Sequence, residues 1–256
     1  MTSKWRTRFL LKPGAWVFVP TEEAIESGQK IKHAIQDRWQ PPGYYYHLRE
    51  GGHVKALQSH VHNSSFIHLD IRNFFGSINR TRVTRCLKGF FGYSVARQMA
   101  NESTVFHPDE KTRQTILPFG FVQSPIVASL CLYQSALGKC LHRFRQSKRY
   151  TVSVYVDDIV ISAEDDSLTA MALDELQVSA GRAGFELNTD KQEGPAEEIT
   201  AFNIRLSHSG LFVEPERLAK FAAAYKNSLS CFQQNGILGY IESVNVKQAC
   251  ELLAKL

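Results

Sequence analysis

Two adjacent acids, Asp157 and Asp158, stand between the apolar, β-rich stretches Tyr150–Tyr155 and Ile159–Ser162. Two such stretches around a short acidic break predict a hairpin with both carboxylates at its tip. Like charges held that close repel one another and resist leaving water unless a cation joins them. Hard divalent ions suit carboxylate oxygens, and Mg²⁺ takes only one or two of them in a typical site. A third acid, Asp70, ends the apolar run Phe66–Leu69, which reads as a strand. Taken alone, Asp70 serves equally well as a helix cap or a turn residue. Three carboxylates converging on two Mg²⁺ ions form the arrangement that phosphoryl transfer needs. One ion acidifies the attacking hydroxyl and the other stabilises the leaving pyrophosphate.

A further stretch, Leu117-Pro118-Phe119-Gly120-Phe121-Val122-Gln123-Ser124-Pro125, reads as a loop entering a helix. Gly120 lets a backbone approach a flat ligand closely. Ser124 as cap, with Pro125 in the first turn, makes a helix N-terminus that favours negative charge. The same residues also read as a plain connection into a core helix.

The elements that must position these groups follow from patterning. Apolar residues at helical spacing predict a helix over 22–38. Arg80–Phe91 is helical, with Ser77 or Asn79 as the cap. One long helix starts at Ser124, striped by Ile126, Leu130, Leu137 and Leu141. Ser167–Ala183 is amphipathic and stopped by Gly184. Thr200–Leu206 and Leu211–Val213 predict a second hairpin, Pro215 opens a helix to about Gln234, and Asn245 caps a last short one. Strands and helices in this mixed order predict an α+β fold with an antiparallel sheet. Pro41-Pro42-Gly43 is a strong breaker. It divides a basic extension, 1–41, from a main body, 42–214, which is followed by a helical segment, 215–256.

Composition bounds the rest. The 256 residues are 43% hydrophobic and 21% charged, enough for a full core and too apolar for wholesale disorder. The net charge of +5 suits a polyanionic partner without demanding one. Five cysteines, with no CxxC pair, predict reduced thiols in a cytoplasmic protein. No secretory signal or run of about 18 apolar residues occurs, so no membrane span is expected.

Three strings together resemble the palm motifs of reverse transcriptases: Phe66-x-x-Leu69-Asp70-Ile71-x-x-Phe74-Phe75, Leu117-Pro118-x-Gly120-x-x-x-Ser124-Pro125 and Tyr155-Val156-Asp157-Asp158. Gly184-Phe185-Glu186-Leu187-Asn188-x-Asp190-Lys191 is similar to the motif that follows them, Phe202-Asn203-Ile204 to the primer grip, and Ile237-Leu238-Gly239-Tyr240-Ile241 to a thumb segment. The resemblance spans roughly 42–245 and is strongest to the bacterial retron, antiphage-defence and group II intron branch. It implies a right-hand polymerase palm with reduced fingers and a short helical thumb. It also implies RNA-directed DNA synthesis from dNTPs, with two Mg²⁺ ions, or Mn²⁺, as cofactor.

Carried over residue by residue, the resemblance makes Asp70, Asp157, Asp158 and Lys191 catalytic and puts Asp70, Asp157, Asp158 and the carbonyl of Ile71 at the metal, with Asp70 and Asp157 as direct ligands and Asp158 closing the site beside them. Lys191 would stand near the β,γ-phosphates, or remain a surface lysine. Phe75 would exclude a ribose 2′-OH. Phe119 and Gly120 would lie beside the incoming nucleotide, and Lys12 is a compressed trace of the basic pair on the fingers. Tyr155, Ser124, His53 and His60 would meet nucleic acid, although packing roles suit both histidines equally. Phe119 stands where many relatives have Gln, and Asn203 where many have Gly. The implied partners are a noncoding RNA template, the DNA product, and a second protein subunit or another copy of the chain. Template-independent or protein-primed DNA synthesis is the first alternative, and a non-catalytic RNA-binding scaffold the second.

Overall fold

The computed structural model describes residues 3–12, 15–109 and 113–254, with the side chains of Lys12 and Ala15 outside that description. In chain order, β1 (Trp5–Lys12) and β2 (Ala15–Pro20) pair as a hairpin and lead into α1 (Glu22–Gln36) and α2 (Gly52–Gln58). Next come β3 (Ser65–Asp70), α3 (Arg80–Phe91), α4 (Tyr93–Ser103), and the short strands β4 (Val105–Phe106) and β5 (Thr115–Ile116). Helices α5 (Ser124–Tyr133) and α6 (Ala136–Ser147) precede the hairpin of β6 (Thr151–Tyr155) and β7 (Asp158–Ala163), followed by α7 (Asp166–Ala183). The chain continues through β8 (Glu193–Ala196), β9 (Glu198–Ala201), β10 (Ile204–Ser207) and β11 (Gly210–Val213) to α8 (Pro215–Asn227), α9 (Cys231–Val244) and α10 (Val246–Ala254). Among the described residues no helix is long and apolar enough to cross a membrane.

The central sheet has the order β6-β7-β3-β8, with neighbours antiparallel. Its two faces enter different cores because strand side chains alternate. Ile67, Leu69, Ile159 and Ile161 join the main core with Ile31, Ile35, Val83, Leu87, Ala172 and Leu176. Phe66 and Val160 join a second core with Ile199, Leu206, Val213, Ile241 and Leu252. Each fully buried Ile or Leu contributes on the order of 1.5–3 kcal/mol, so both faces hold the sheet in place. The breaker at Pro41-Pro42-Gly43 does not separate cores, since Ile31, Ile35 and Trp39 pack with the palm strands.

Capping follows the sequence closely. Asn79 accepts from the Arg82 amide, Asp165 from Leu168 and Asn245 from Gln248. Three expectations change. The predicted long helix from Ser124 breaks between α5 and α6, where Ser135 caps the Gly138 amide. A Cβ on Gly138 would lie 2.1 Å from the Leu132 carbonyl oxygen, so the break requires glycine. The predicted strand Thr200–Leu206 folds on itself at Phe202 and Asn203, both at φ near 60°, and becomes β9 and β10. Positive φ at both central residues is the signature of a type I′ hairpin, to which asparagine is suited. The helix predicted from Pro215 to about Gln234 stops at Asn227 and restarts at Cys231 under a Ser230 cap.

These glycine environments generate a prediction. Gly138→Ala will destabilise the fold by about 2 kcal/mol or more, because backbone atoms must move. Gly181→Ala, on the exposed side of α7 with open space around it, will be neutral or stabilising by up to about 1 kcal/mol. Urea unfolding of the two variants checks the contrast.

Candidate active site

Register builds the acidic cluster. Asp70 lies directly opposite Asp158 on the β3–β7 ladder, and opposite residues of an antiparallel pair share a face. The Ile71 amide donates to the Asp157 carbonyl at 2.9 Å, which ties the hairpin turn to the end of β3. Within that turn Val156 adopts φ 60°, a conformation costing a β-branched residue about 1–3 kcal/mol. A hydrogen-bond chain holds it there. The Val156 amide donates to His47 Nδ1 at 2.9 Å, and His47 Nε2 meets Ser129 Oγ at 2.7 Å. Ser129 Oγ donates to the Pro125 carbonyl at 2.8 Å. Because Nδ1 accepts, the ring proton sits on Nε2. Burial pushes the His47 pKa down to about 4, so the ring is neutral near pH 7.

The three carboxylates sit in different surroundings. Asp70 is 4% exposed; its Oδ1 accepts from Lys191 Nζ at 2.7 Å and from Asn188 Nδ2 at 3.0 Å. The hydrogen bond to Asp70 raises the Lys191 pKa above its ordinary value. Asp158 Oδ1 pairs with His68 Nε2 at 2.8 Å. Asp157 forms no ion pair among the described residues. Burial first, then the charge of Asp158, pushes its pKa up to about 6, with Asp70 adding to the shift and Lys191 opposing it.

That uncompensated carboxylate is the physical argument for a cation. Among the described residues no three His, Cys, Asp or Glu side chains lie close enough to hold one ion together. Mg²⁺ asks for less, since one or two carboxylates suffice when substrate phosphates and water complete the shell. The oxygen donors of Asp157 and Asp70 fit a hard divalent ion.

The rings of Phe75 and Phe119 meet edge to face at 5.6 Å, with Phe119 half-exposed. Phe74 is buried against Phe185. Gly120 has φ 108°, and a Cβ there would lie 2.4 Å from the Phe18 carbonyl oxygen. Its close approach is therefore to the β1–β2 hairpin, whose Phe18 amide donates to the Phe119 carbonyl at 2.9 Å. Lys12 ends β1, and its side chain lies outside the described residues.

Tyr155, His53, Phe202 and Tyr240 form an aromatic cluster linking the β6–β7 hairpin to α2, the β9–β10 turn and α9. His53 Nε2 also meets the Tyr240 hydroxyl at 3.2 Å. Two expected nucleic-acid contacts are corrected. His60 is 0% exposed and bridges Ser162 and Ser153 at 2.7 and 2.8 Å, clamping β7 to β6. Burial pushes its pKa down to about 3. Ser124 is 1% exposed and donates to the Pro118 carbonyl, while Gln123 takes the cap position of α5.

Neither His47 nor His68 is among the site residues the sequence singles out, and Asn188 is quoted only as part of the motif that carries Lys191. For His68 a signal existed: two residues before Asp70 on a strand, it must share the face of that carboxylate. His47 acts from 109 residues away and nothing local announces it, whereas Asn188, 118 residues from Asp70, lies three residues before Lys191 in the motif quoted for it.

Asp157 gives a stability prediction. Its folded pKa of about 6 exceeds the ordinary 3.8, so its contribution to stability is complete below 3.8 and is lost as pH rises through 6. Asp157→Asn, melted in EDTA, will therefore raise the melting temperature at pH 7 and give a much smaller gain at pH 4. An equal gain at both pH values would place the effect elsewhere.

The family description "Reverse transcriptase (RNA-dependent DNA polymerase)" matches residues 23–204. The retron Mx65 reverse transcriptase of Myxococcus xanthus is 26% identical over 221 residues, which cover 77% of this chain and 50% of that protein. The chain thus spans half the length of that curated relative. Among solved structures, telomerase from Candida albicans, in complex with a fragment of telomeric RNA, aligns over 90% of this chain and 47% of its own at TM-score 0.56 and 10% identity. A foamy viral protease–reverse transcriptase bound to double-stranded DNA aligns over 91% and 34% at TM-score 0.51 and 17% identity. Both likenesses concern the fold, an α+β polymerase palm. With most of its length matched, the chain belongs to the reverse transcriptase family.

Proposed function

We propose that this chain is an RNA-directed DNA polymerase that extends a primer 3′-OH with dNTPs, templated by a dedicated noncoding RNA in a retron-like, antiphage system. The observation that carries the reading is the gathering of Asp70, Asp157, Asp158 and Lys191 at one end of the β3–β7 ladder. Asp70, Asp157 and the Ile71 carbonyl would hold two Mg²⁺ or Mn²⁺ ions, with Asp158 adjoining. Such ions supply charge neutralisation at the attacking hydroxyl and at the leaving pyrophosphate.

The chain's own residues do the rest. His47 holds the strained turn so that Asp157 faces Asp70 without reorganisation. His68 fixes one oxygen of Asp158. Lys191, half-exposed and already beside Asp70, offers a positive charge and a proton to the triphosphate. Phe75 and Phe119 form an apolar wall for the sugar and base of the incoming nucleotide.

Primer extension on a primed RNA template, with Mg²⁺ and dNTPs, tests the reading. Asp70→Asn or Asp157→Asn will lower incorporation by roughly 10³-fold or more, about 4 kcal/mol in the barrier, while the fold persists by circular dichroism. Near wild-type incorporation by either variant would sink the assignment.

Phe75→Val will admit ribonucleotides. Exclusion by a clash is lost when the ring is removed, so rNTP use rises more than dNTP use falls. Competitive rNTP/dNTP incorporation measures it, and an unchanged ratio would make Phe75 a packing residue.

A further inference from the structure

Two cavities open on the side of the palm, one of about 580 Å³ and one of about 450 Å³. His142 lines both, so they adjoin along α6. The larger takes in Tyr133, Lys139 and Arg143, and the smaller Tyr46, Arg49 and Arg145. Thr151, at the start of β6, borders the smaller one. It lies about 13 Å along the strand from Tyr155, at the end away from the catalytic turn. This groove is therefore separate from the acidic cluster.

Its charge is one-sided. Residues 139–149 contain Lys139, Arg143, Arg145, Lys148 and Arg149 with His142, and no acid occurs between Glu110 and Asp157. Glu175, reaching across from α7, pairs with Arg143. Lys139 and Arg145, which line the cavities, and Lys148, at the C-terminal end of α6 outside both linings, are exposed and form no ion pair among the described residues. Aromatic faces accompany the cations: the Tyr133 ring meets His142 edge-on at 6.0 Å, and the Arg49 guanidinium lies 5.1 Å from the Tyr46 ring. Within the groove, Gln146 Nε2 donates to His142 Nε2 at 2.9 Å. The ring proton therefore sits on His142 Nδ1, which has no partner among the described residues.

Unpaired cations next to aromatic rings match a nucleic-acid strand, whose phosphates and bases they bind together. Two joined cavities suit a chain of residues better than a single small anion. We infer that this groove holds a segment of RNA outside the catalytic cleft, with Lys139, Arg145 and Lys148 on its phosphates. The choice of RNA rests on the function proposed above; the groove and its charge do not.

The test is a binding measurement in EDTA without dNTPs, so a failure of the polymerase reading leaves it untouched. The probe is a stem-loop RNA with single-stranded flanks, compared with a short primed duplex that fills only the cleft. The triple variant Lys139→Gln/Arg145→Gln/Lys148→Gln will bind the stem-loop about tenfold more weakly, and its log K against log salt slope will be shallower by about two, from roughly 0.7 per lost single-strand contact. Affinity for the short duplex will change less than about twofold. Ultraviolet crosslinking of the wild-type protein to the same RNA carrying 4-thiouridine will mark residues 133–149, a readout that does not depend on the variant's folding. Unchanged stem-loop affinity and slope, equal loss on both probes, or crosslinks confined to the cleft would each overturn the inference.

Discussion

Pairing of β3 with β7 is the constraint on which the molecule rests. The ladder places Asp70 against Asp158, and the alternation of side chains sends Ile67 and Leu69 into one core and Phe66 into another. A slip of one residue would turn every one of these side chains to the wrong face. The two cores together therefore enforce the register, and the register brings the carboxylates together. The geometry of the acidic cluster here follows from packing on both sides of one sheet.

The same ladder leaves an electrostatic conflict unresolved within the protein. Asp70 has Lys191 and Asn188, and Asp158 has His68, but among the described residues Asp157 has no ion-pair partner, and the charge of Lys191 offsets its acidic neighbours only in part. The turn that carries it also holds Val156 in a disfavoured backbone conformation. Strain and like-charge repulsion in one turn are the pattern of a functional site maintained by its surroundings. His47 is the chief support: it reaches the turn from the segment before α2 and is itself held by Ser129 on α5.

Much of this was legible in the sequence where the signal was local. The acids at a hairpin tip, the strand ending on Asp70, and the caps at Asn79 and Asn245 all depend on neighbouring residues. The breaks at Ser135 and Phe202-Asn203 were not legible, because apolar periodicity runs across both while glycine or asparagine geometry decides them. The N-terminal hairpin also lacks a clear period. His60 and Ser124 were misassigned for a common reason: a polar side chain beside a functional motif reads as a ligand contact until burial shows its partners inside the fold. His68 and His47 are the converse, ordinary in sequence and joined to the site by tertiary contact.

Two of these internal rings give the molecule an acid limit. His47 and His60 are both held neutral, with pKa values pushed down to about 4 and about 3 by burial. In an unfolded chain each would titrate near 6.5, so their contribution to stability is complete above that pH and declines as pH falls toward 4 and then 3. One ring supports the Val156 turn and the other clamps β6 to β7 behind it. Acidification below about 6.5 therefore weighs, through these two rings, on the β6–β7 hairpin at its tip and along its length.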